Sequence, residues 1–286
     1  MKLNQEVLRK IRSIEIQTRR LLRGTLAGDY SSAQNGSGLE FDQLRDYQMG
    51  DDVRFIDWNA SARSHKILVK QYREERSRTI MVLVDCSASL FYGSSELLKS
   101  DIVAQITSVL ALVADCGKDY VGALFFADRV LTVIPPKRGR IHVHAIMQHA
   151  FEVKPAGATS LKNALDRLMS VQKQAAIIFI VSDFLDVGYE KVLKVVARKH
   201  DVIAVRCTDL KEQALPFCGY LPVCDPETGK IGVINTNAAS LNNALKEHNE
   251  QVKNTLRACG ADVLDIQVDR PFVGDIIRFF RRRMMY

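Results

Sequence analysis

From residue 79 onward the chain alternates short, wholly apolar runs with longer amphipathic ones. Residues 79–84 are β-rich and without polar alternation, the pattern of a strand buried on both faces. Residues 176–181 read the same way, and 202–207 as a further strand. Between these runs lie stretches with apolar residues three and four apart, which predict helices over 97–114, 139–150, 160–171 and 189–200. Residues 120–126 and 129–134 read as a strand pair, and 220–223 with 230–234 as a hairpin around Asp-Pro-Glu-Thr-Gly. A long helix is expected over 238–259 and a last strand over 262–267. This alternation of strand and helix predicts an α/β domain, a mostly parallel sheet with helices on both faces.

The first 78 residues have a different rhythm. Leu3, Val7, Leu8, Ile11, Ile14, Leu21 and Leu22 form one apolar stripe on a helix over 3–23, with Arg9, Arg12, Arg19, Arg20 and Arg23 largely off it. Gly24 and Gly28 suit its C-terminal end, and residues 29–38 read as a flexible loop. Residues 39–65 follow neither the helical nor the strand period. Arg45, Arg54 and Arg63 interleave there with Asp46, Asp51, Asp52 and Asp57, a density that predicts ion pairs. Met49-Gly50-Asp51 predicts a turn, and 66–75 an edge strand. The single tryptophan, Trp58, is expected to bury its ring against the body. The segment then reads as a strap over the sheet edge, with a partner-docking surface beside the site described below.

Composition narrows the class. Of 286 residues, 47% are hydrophobic and 26% charged, which excludes a disordered chain. The longest apolar run, 175–181, has seven residues, against the roughly 20 that a membrane-spanning helix needs. The N-terminus lacks the continuous apolar stretch of a signal peptide, so a cytoplasmic protein is expected. Six cysteines without a CxxC pair predict reduced, mostly buried thiols rather than a zinc ribbon. The net charge is +7, of which residues 1–23 carry +5 and 271–286 carry +3. The body is therefore almost neutral. A nucleic-acid-binding domain would carry its basic face there; basic ends suit solubility, an acidic partner or an anionic membrane surface.

The candidate chemistry sits at strand ends. In an open α/β sheet, ligands bind where the carboxyl ends of strands open into loops. The strand over 79–84 runs into Asp85-Cys86-Ser87-Ala88-Ser89, and a spacing of two turns Asp85, Ser87 and Ser89 toward one side. Thr159 lies just before the helix at 160, and Asp183 directly after the strand at 176–181. Taken singly, Asp85 or Asp183 could cap a turn or helix, and the serines could satisfy backbone donors. Together they make five hard oxygen ligands with no imidazole or thiolate, which suits Mg²⁺, or Mn²⁺. Such a site leaves room for a partner's carboxylate.

This set, Asp85-x-Ser87-x-Ser89 with Thr159 and Asp183, resembles the metal-ion-dependent adhesion site of von Willebrand factor A domains. The upstream Gly38-Leu-Glu40-Phe41, Leu44-Arg45-Asp-Tyr47, Gly50-Asp51-Asp52-Val-Arg54-Phe-Ile56-Asp57-Trp58 and Ala60-Ser61-Ala62-Arg63 are similar to the signature of the bacterial "domain of unknown function 58" family. The resemblance spans roughly residues 20–270. It implies a von Willebrand A-like domain in the family's short form without membrane helices, of the kind often encoded beside MoxR-type AAA+ ATPases.

Other motifs are missing. There is no GxxxxGK[ST] phosphate loop and no GxSxG nucleophile elbow. His142, His144 and His149 read as a solvated basic helix start, and Arg278-Phe279-Phe280-Arg281 as a solvated tail. The expected organisation is a helix and strap over 1–78, the von Willebrand A-like domain over 79–270 and a basic tail over 271–286. The expected function is that of a non-enzymatic adaptor whose Mg²⁺ grips an acidic residue of a protein partner, a MoxR-type ATPase or its client. A metal-dependent phosphoester hydrolase, or a nucleic-acid or membrane-surface binder, is the alternative.

Overall fold

Six strands build the central sheet of the computed structural model. They are β3 (Thr79–Asp85), β4 (Tyr120–Phe126), β5 (Val130–Lys137), β6 (Ile177–Ser182), β7 (Asp201–Thr208) and β10 (Asp262–Gln267), in the order β10-β7-β6-β3-β4-β5. All neighbours are parallel except β4 and β5, which form an antiparallel pair. The structure describes residues 5–26, 39–64, 66–74, 78–93, 97–154, 157–209, 212, 215, 218–224, 229–237, 239–268 and 270–284.

Both faces of the sheet are covered, which is why the central strands are apolar at every position. Met81, Leu83, Leu124, Phe126, Ile178 and Ile180 join one buried cluster with Leu161, Ala164, Leu165 and Leu168 of α5 (Leu161–Val171). Leu193 and Val196 of α6 (Glu190–Lys199) and Leu256 of α7 (Ala239–Ala258) close the same layer. The alternate strand residues face α3 (Lys99–Cys116) and α4 (Arg140–Glu152); Phe125 meets the His149 ring edge-on at 4.5 Å.

α3 is buried nearly all round, because a further helix lies over it. That helix, α1 (Gln5–Leu26), buries Ile11, Ile14 and Thr18. Its Lys10 pairs with Asp101 of α3 at 3.0 Å, and its Glu15 accepts from Arg140 of α4 at 2.7 Å. An element hydrophobic on all sides is the expected sequence of a helix held between sheet and helix.

Residues 1–21 therefore group with 78–286 as one compact unit, and residues 22–77 form a second. The C-terminal segment is also more than a solvated tail. α8 (Val273–Met284) seats Val273 and Ile276 in the body, with Phe272 just ahead of it. A separate antiparallel hairpin joins β8 (Tyr220–Cys224) to β9 (Ile231–Asn235).

In the unit 22–77, β1 (Leu39–Asp46) pairs antiparallel with β2 (Leu68–Glu74), and α2 (Trp58–Ser64) follows a 3-10 turn at Val53–Phe55. The expected ion pairs form in part. Arg45 grips Asp51 with two hydrogen bonds of 2.7 Å, and Arg54 pairs with Asp52 at 2.6 Å. Asp57 instead caps α2 through the Ala60 N–H and pairs with Lys70, while Arg63 donates to the Asn59 carbonyl. Trp58 departs from the expectation of a buried ring: it is 67% exposed, at the first position of a short helix with no buried residue. The loop expected at 29–38 lies outside the described residues.

Candidate metal centre

The sheet has one topological switch point. From β3 the chain crosses to β4 on one side, and from β6 it crosses to β7 on the other, so the C-terminal ends of the adjacent strands β3 and β6 open a crevice between diverging connections. Asp85 ends β3 and Asp183 follows β6. Both are buried. Burial, and then the negative charge of Asp183, push the Asp85 carboxyl up to about 7; hydrogen bonds from Ser182 and Ser87 pull the other way without cancelling the effect.

Three loops meet at this rim and are tied to one another. Asp85 Oδ1 accepts from the Ser87 N–H at 2.9 Å, and Asp85 Oδ2 accepts from the Ser182 hydroxyl at 2.6 Å, which links β3 to β6. The Ser87 and Ser89 hydroxyls lie 2.9 Å apart within a buried 3-10 turn. The Ala88 N–H donates to the Gly157 carbonyl at 2.9 Å, and the Ser160 N–H to the Ala127 carbonyl at 2.8 Å. The first bond holds the loop carrying half-buried Thr159 against the turn carrying Ser89, and the second ties it to the residue after β4. The Leu161 N–H, at the start of α5, donates to Asp186 at 2.8 Å and joins that loop to the one after β6. The structure thus gathers the loops of all five expected ligands at one rim, with Asp85, Ser87, Ser89 and Asp183 buried.

The donor set fits a hard divalent cation. Two buried carboxylates and the Ser87 and Ser89 hydroxyls lie at one rim; the charge of Asp183 opposes that of Asp85, and a dication would relieve that repulsion. Among the described residues no cluster of three or more His, Cys, Asp or Glu side chains forms a metal site, at this rim or away from it; the set here has only two carboxylates and depends on hydroxyl oxygens for the rest. The histidines at 142, 144 and 149 serve other ends: His142 Nε2 lies 2.8 Å from the Val121 carbonyl, near the opposite end of the sheet.

Three participants escape sequence reasoning. Ser182 donates to Asp85 while accepting from the Phe184 N–H at 3.0 Å. Phe184 itself adopts φ +57°, an unusual conformation for a bulky residue, held by its buried ring. The other two are Lys99 and Glu212. Lys99 is completely buried at the start of α3, with its Nζ 3.3 Å from Asp183 Oδ2 and 2.6 Å from Glu212 Oε1. Burial alone would drive this ammonium toward neutrality; Asp183 and Glu212 more than offset it and hold its pKa above the ordinary lysine value.

Residues 43–255 match the family model described as "Protein of unknown function DUF58". The chain belongs to the DUF58 family. The match takes in half of β1, all of α2 and β2, strands β3 to β7 of the central sheet and the β8–β9 hairpin. This DUF58 chain is 30% identical over 280 residues to "Uncharacterized protein Rv1480" of Mycobacterium tuberculosis (strain ATCC 25618 / H37Rv), covering 96% of this chain and 88% of that one. Among solved structures it is similar to the conserved hypothetical protein BatB from Bacteroides thetaiotaomicron, with a TM-score of 0.50 and 16% identity over 74% of this chain and 100% of that one. It is also similar to the SpRpn10 VWA domain, with a TM-score of 0.40 and 11% identity, covering 71% and 95% of the two chains. With BatB the DUF58 chain shares its fold, an α/β domain around a mostly parallel six-stranded sheet. No helix among its described residues is long and apolar enough to cross a membrane.

Proposed function

We propose that this protein is a non-enzymatic interaction adaptor that binds a partner protein through a divalent cation at the β3–β6 rim. Asp85, Ser87, Ser89, Thr159 and Asp183 hold Mg²⁺, or Mn²⁺, and an acidic side chain of the partner completes the coordination. The observation that carries this reading is the pair of buried carboxylates brought together by three mutually hydrogen-bonded loops at the switch point.

The surroundings of the rim support a protein partner. Phe91, Leu185 and Val187 follow the two acidic strand ends closely in sequence and are 66%, 52% and 81% exposed. Exposed apolar side chains close in the chain to a charged site suit an interaction surface. The partner chemistry this favours is a carboxylate flanked by apolar side chains, supplied by a MoxR-type AAA+ ATPase or by its client during protein assembly or activation. The setting we propose is cytoplasmic: all six cysteines are free, as a reducing compartment permits, although only Cys86, Cys207 and Cys259 are buried while Cys116, Cys218 and Cys224 are exposed, against the expectation of mostly buried thiols.

A phosphoester hydrolase would need a general base beyond the ligands. The basic residue at the rim is Lys99, which is ion-paired, sealed from solvent and held protonated, a state that serves charge balance and not proton abstraction. The test is capture of a MoxR-type ATPase from solution by the immobilised protein. Capture that EDTA abolishes and Mg²⁺ restores supports the adaptor; equal capture under both conditions, or turnover of a phosphoester without a partner, overturns it.

A further inference from the structure

Lys99 stands where ordinary rules disfavour a lysine. Its side chain is fully buried, and it occupies the first turn of α3, where the helix dipole already presents positive charge. It is held there by Asp183 at 3.3 Å, by Glu212 at 2.6 Å and, more weakly, by the face of Tyr92 at 5.7 Å. Asp183 is also one of the two carboxylates assigned to the divalent cation. A single carboxylate therefore faces two cationic claimants, one permanent and one exchangeable.

The charge count makes the consequence specific. Asp85 and Asp183 together match a dication. Lys99 adds a third positive charge, and Glu212 supplies the negative charge that matches it. Glu212 is a third exposed and follows β7, so it reaches the site from an element separate from all five ligands.

Resting on the metal reading above, we infer that Lys99 is a built-in competitor for the divalent cation and that Glu212 sets the outcome. Without the cation, the Lys99 ammonium shares itself between Asp183 and Glu212. With the cation on Asp183, Glu212 takes the ammonium over. Glu212 is thus a positioning residue: it acts on metal affinity through Lys99 and does not itself ligate.

The experiment is Mn²⁺ titration followed by electron paramagnetic resonance, with circular dichroism in EDTA as the control for folding. Glu212→Gln keeps shape and hydrogen bonding but leaves Lys99 uncompensated; it weakens Mn²⁺ binding by about tenfold, since one unmatched unit charge in a low-dielectric site repels the dication strongly. Lys99→Met has the opposite sign and tightens binding. The double variant Lys99→Met/Glu212→Gln restores the charge balance and binds at least as tightly as the wild type. It also guards against misfolding of Lys99→Met, because it leaves no unpaired charge on Glu212. Wild-type binding that all three variants leave within twofold overturns the inference while sparing the metal site. Wild-type protein that binds no Mn²⁺ overturns both.

Discussion

Substitution of Asp85 by Asn gives a stability change whose sign depends on pH. In the folded, metal-free protein the Asp85 carboxyl holds its proton up to about pH 7, whereas in the unfolded chain it titrates near the ordinary carboxylate value of 3.8. Folding therefore takes up a proton between these values, and stability falls as pH rises through that window. At about 1.4 kcal/mol per pH unit the destabilisation at pH 8 approaches about 4 kcal/mol, and from pH 5 to pH 8 it grows by about 3 kcal/mol. Asn carries no charge at any of these pH values. It loses one of the two bonds that Asp85 accepts from Ser87 and Ser182, at a cost of about 1 kcal/mol. Urea unfolding in EDTA, followed by circular dichroism, should show Asp85→Asn more stable than the wild type at pH 8 and level with it, or slightly weaker, at pH 5. Saturating Mg²⁺ should reverse the order at pH 8, because a ligand stabilises the protein that binds it. Parallel stabilities for the two proteins at both pH values in EDTA would refute the electrostatic reasoning.

Further outcomes follow from single contacts. Ser182→Ala removes the donor to Asp85 and the acceptor of the Phe184 N–H, and should cost about 1–3 kcal/mol in urea unfolding at pH 8. Gly122 lies where β4 and β5 shift register, and a Cβ there would stand 2.6 Å from Met81 Sδ, 2.8 Å from the Ile134 carbonyl and 2.9 Å from the Pro136 nitrogen. Two of these are backbone atoms, so Gly122→Ala should lower stability by about 1–3 kcal/mol; an unchanged midpoint would show that β5 yields freely. Val187→Asp places a charge in the exposed apolar rim and should abolish partner capture while leaving Mn²⁺ affinity within a few fold. Loss of both together would mean that Val187 supports the site rather than the interface.

The sheet was legible because its strands are buried on both faces. Runs such as Ile80–Val84 and Ile178–Val181 have no polar residue to place, and only a covered parallel sheet accommodates them. Asp85 and Asp183 could be named because each stands at the carboxyl end of such a run; the strand order that sets those two ends side by side is visible only in the structure. The unit 22–77 was harder. A two-stranded ribbon has no core to impose alternation, and its charged and aromatic residues serve local ion pairs and caps, which leave Trp58 exposed. Lys99 was invisible for a different reason. A lysine at a helix start reads as a solvated side chain, and only the fold brings Asp183 and Glu212, 84 and 113 positions away, onto its ammonium. The segment Pro271-Phe272-Val273-Gly-Asp275-Ile276 does carry helical spacing, but the arginines that follow drew attention to solvent rather than to the buried Phe272 and Ile276.

The most direct measurement is calorimetric titration of Mg²⁺ into the wild type and into Asp85→Ala and Thr159→Ala, at pH 8. One saturable site in the wild type, lost in Asp85→Ala and weakened in Thr159→Ala, is the predicted result. Equal heats for all three proteins would contradict a cation held jointly by these strand ends.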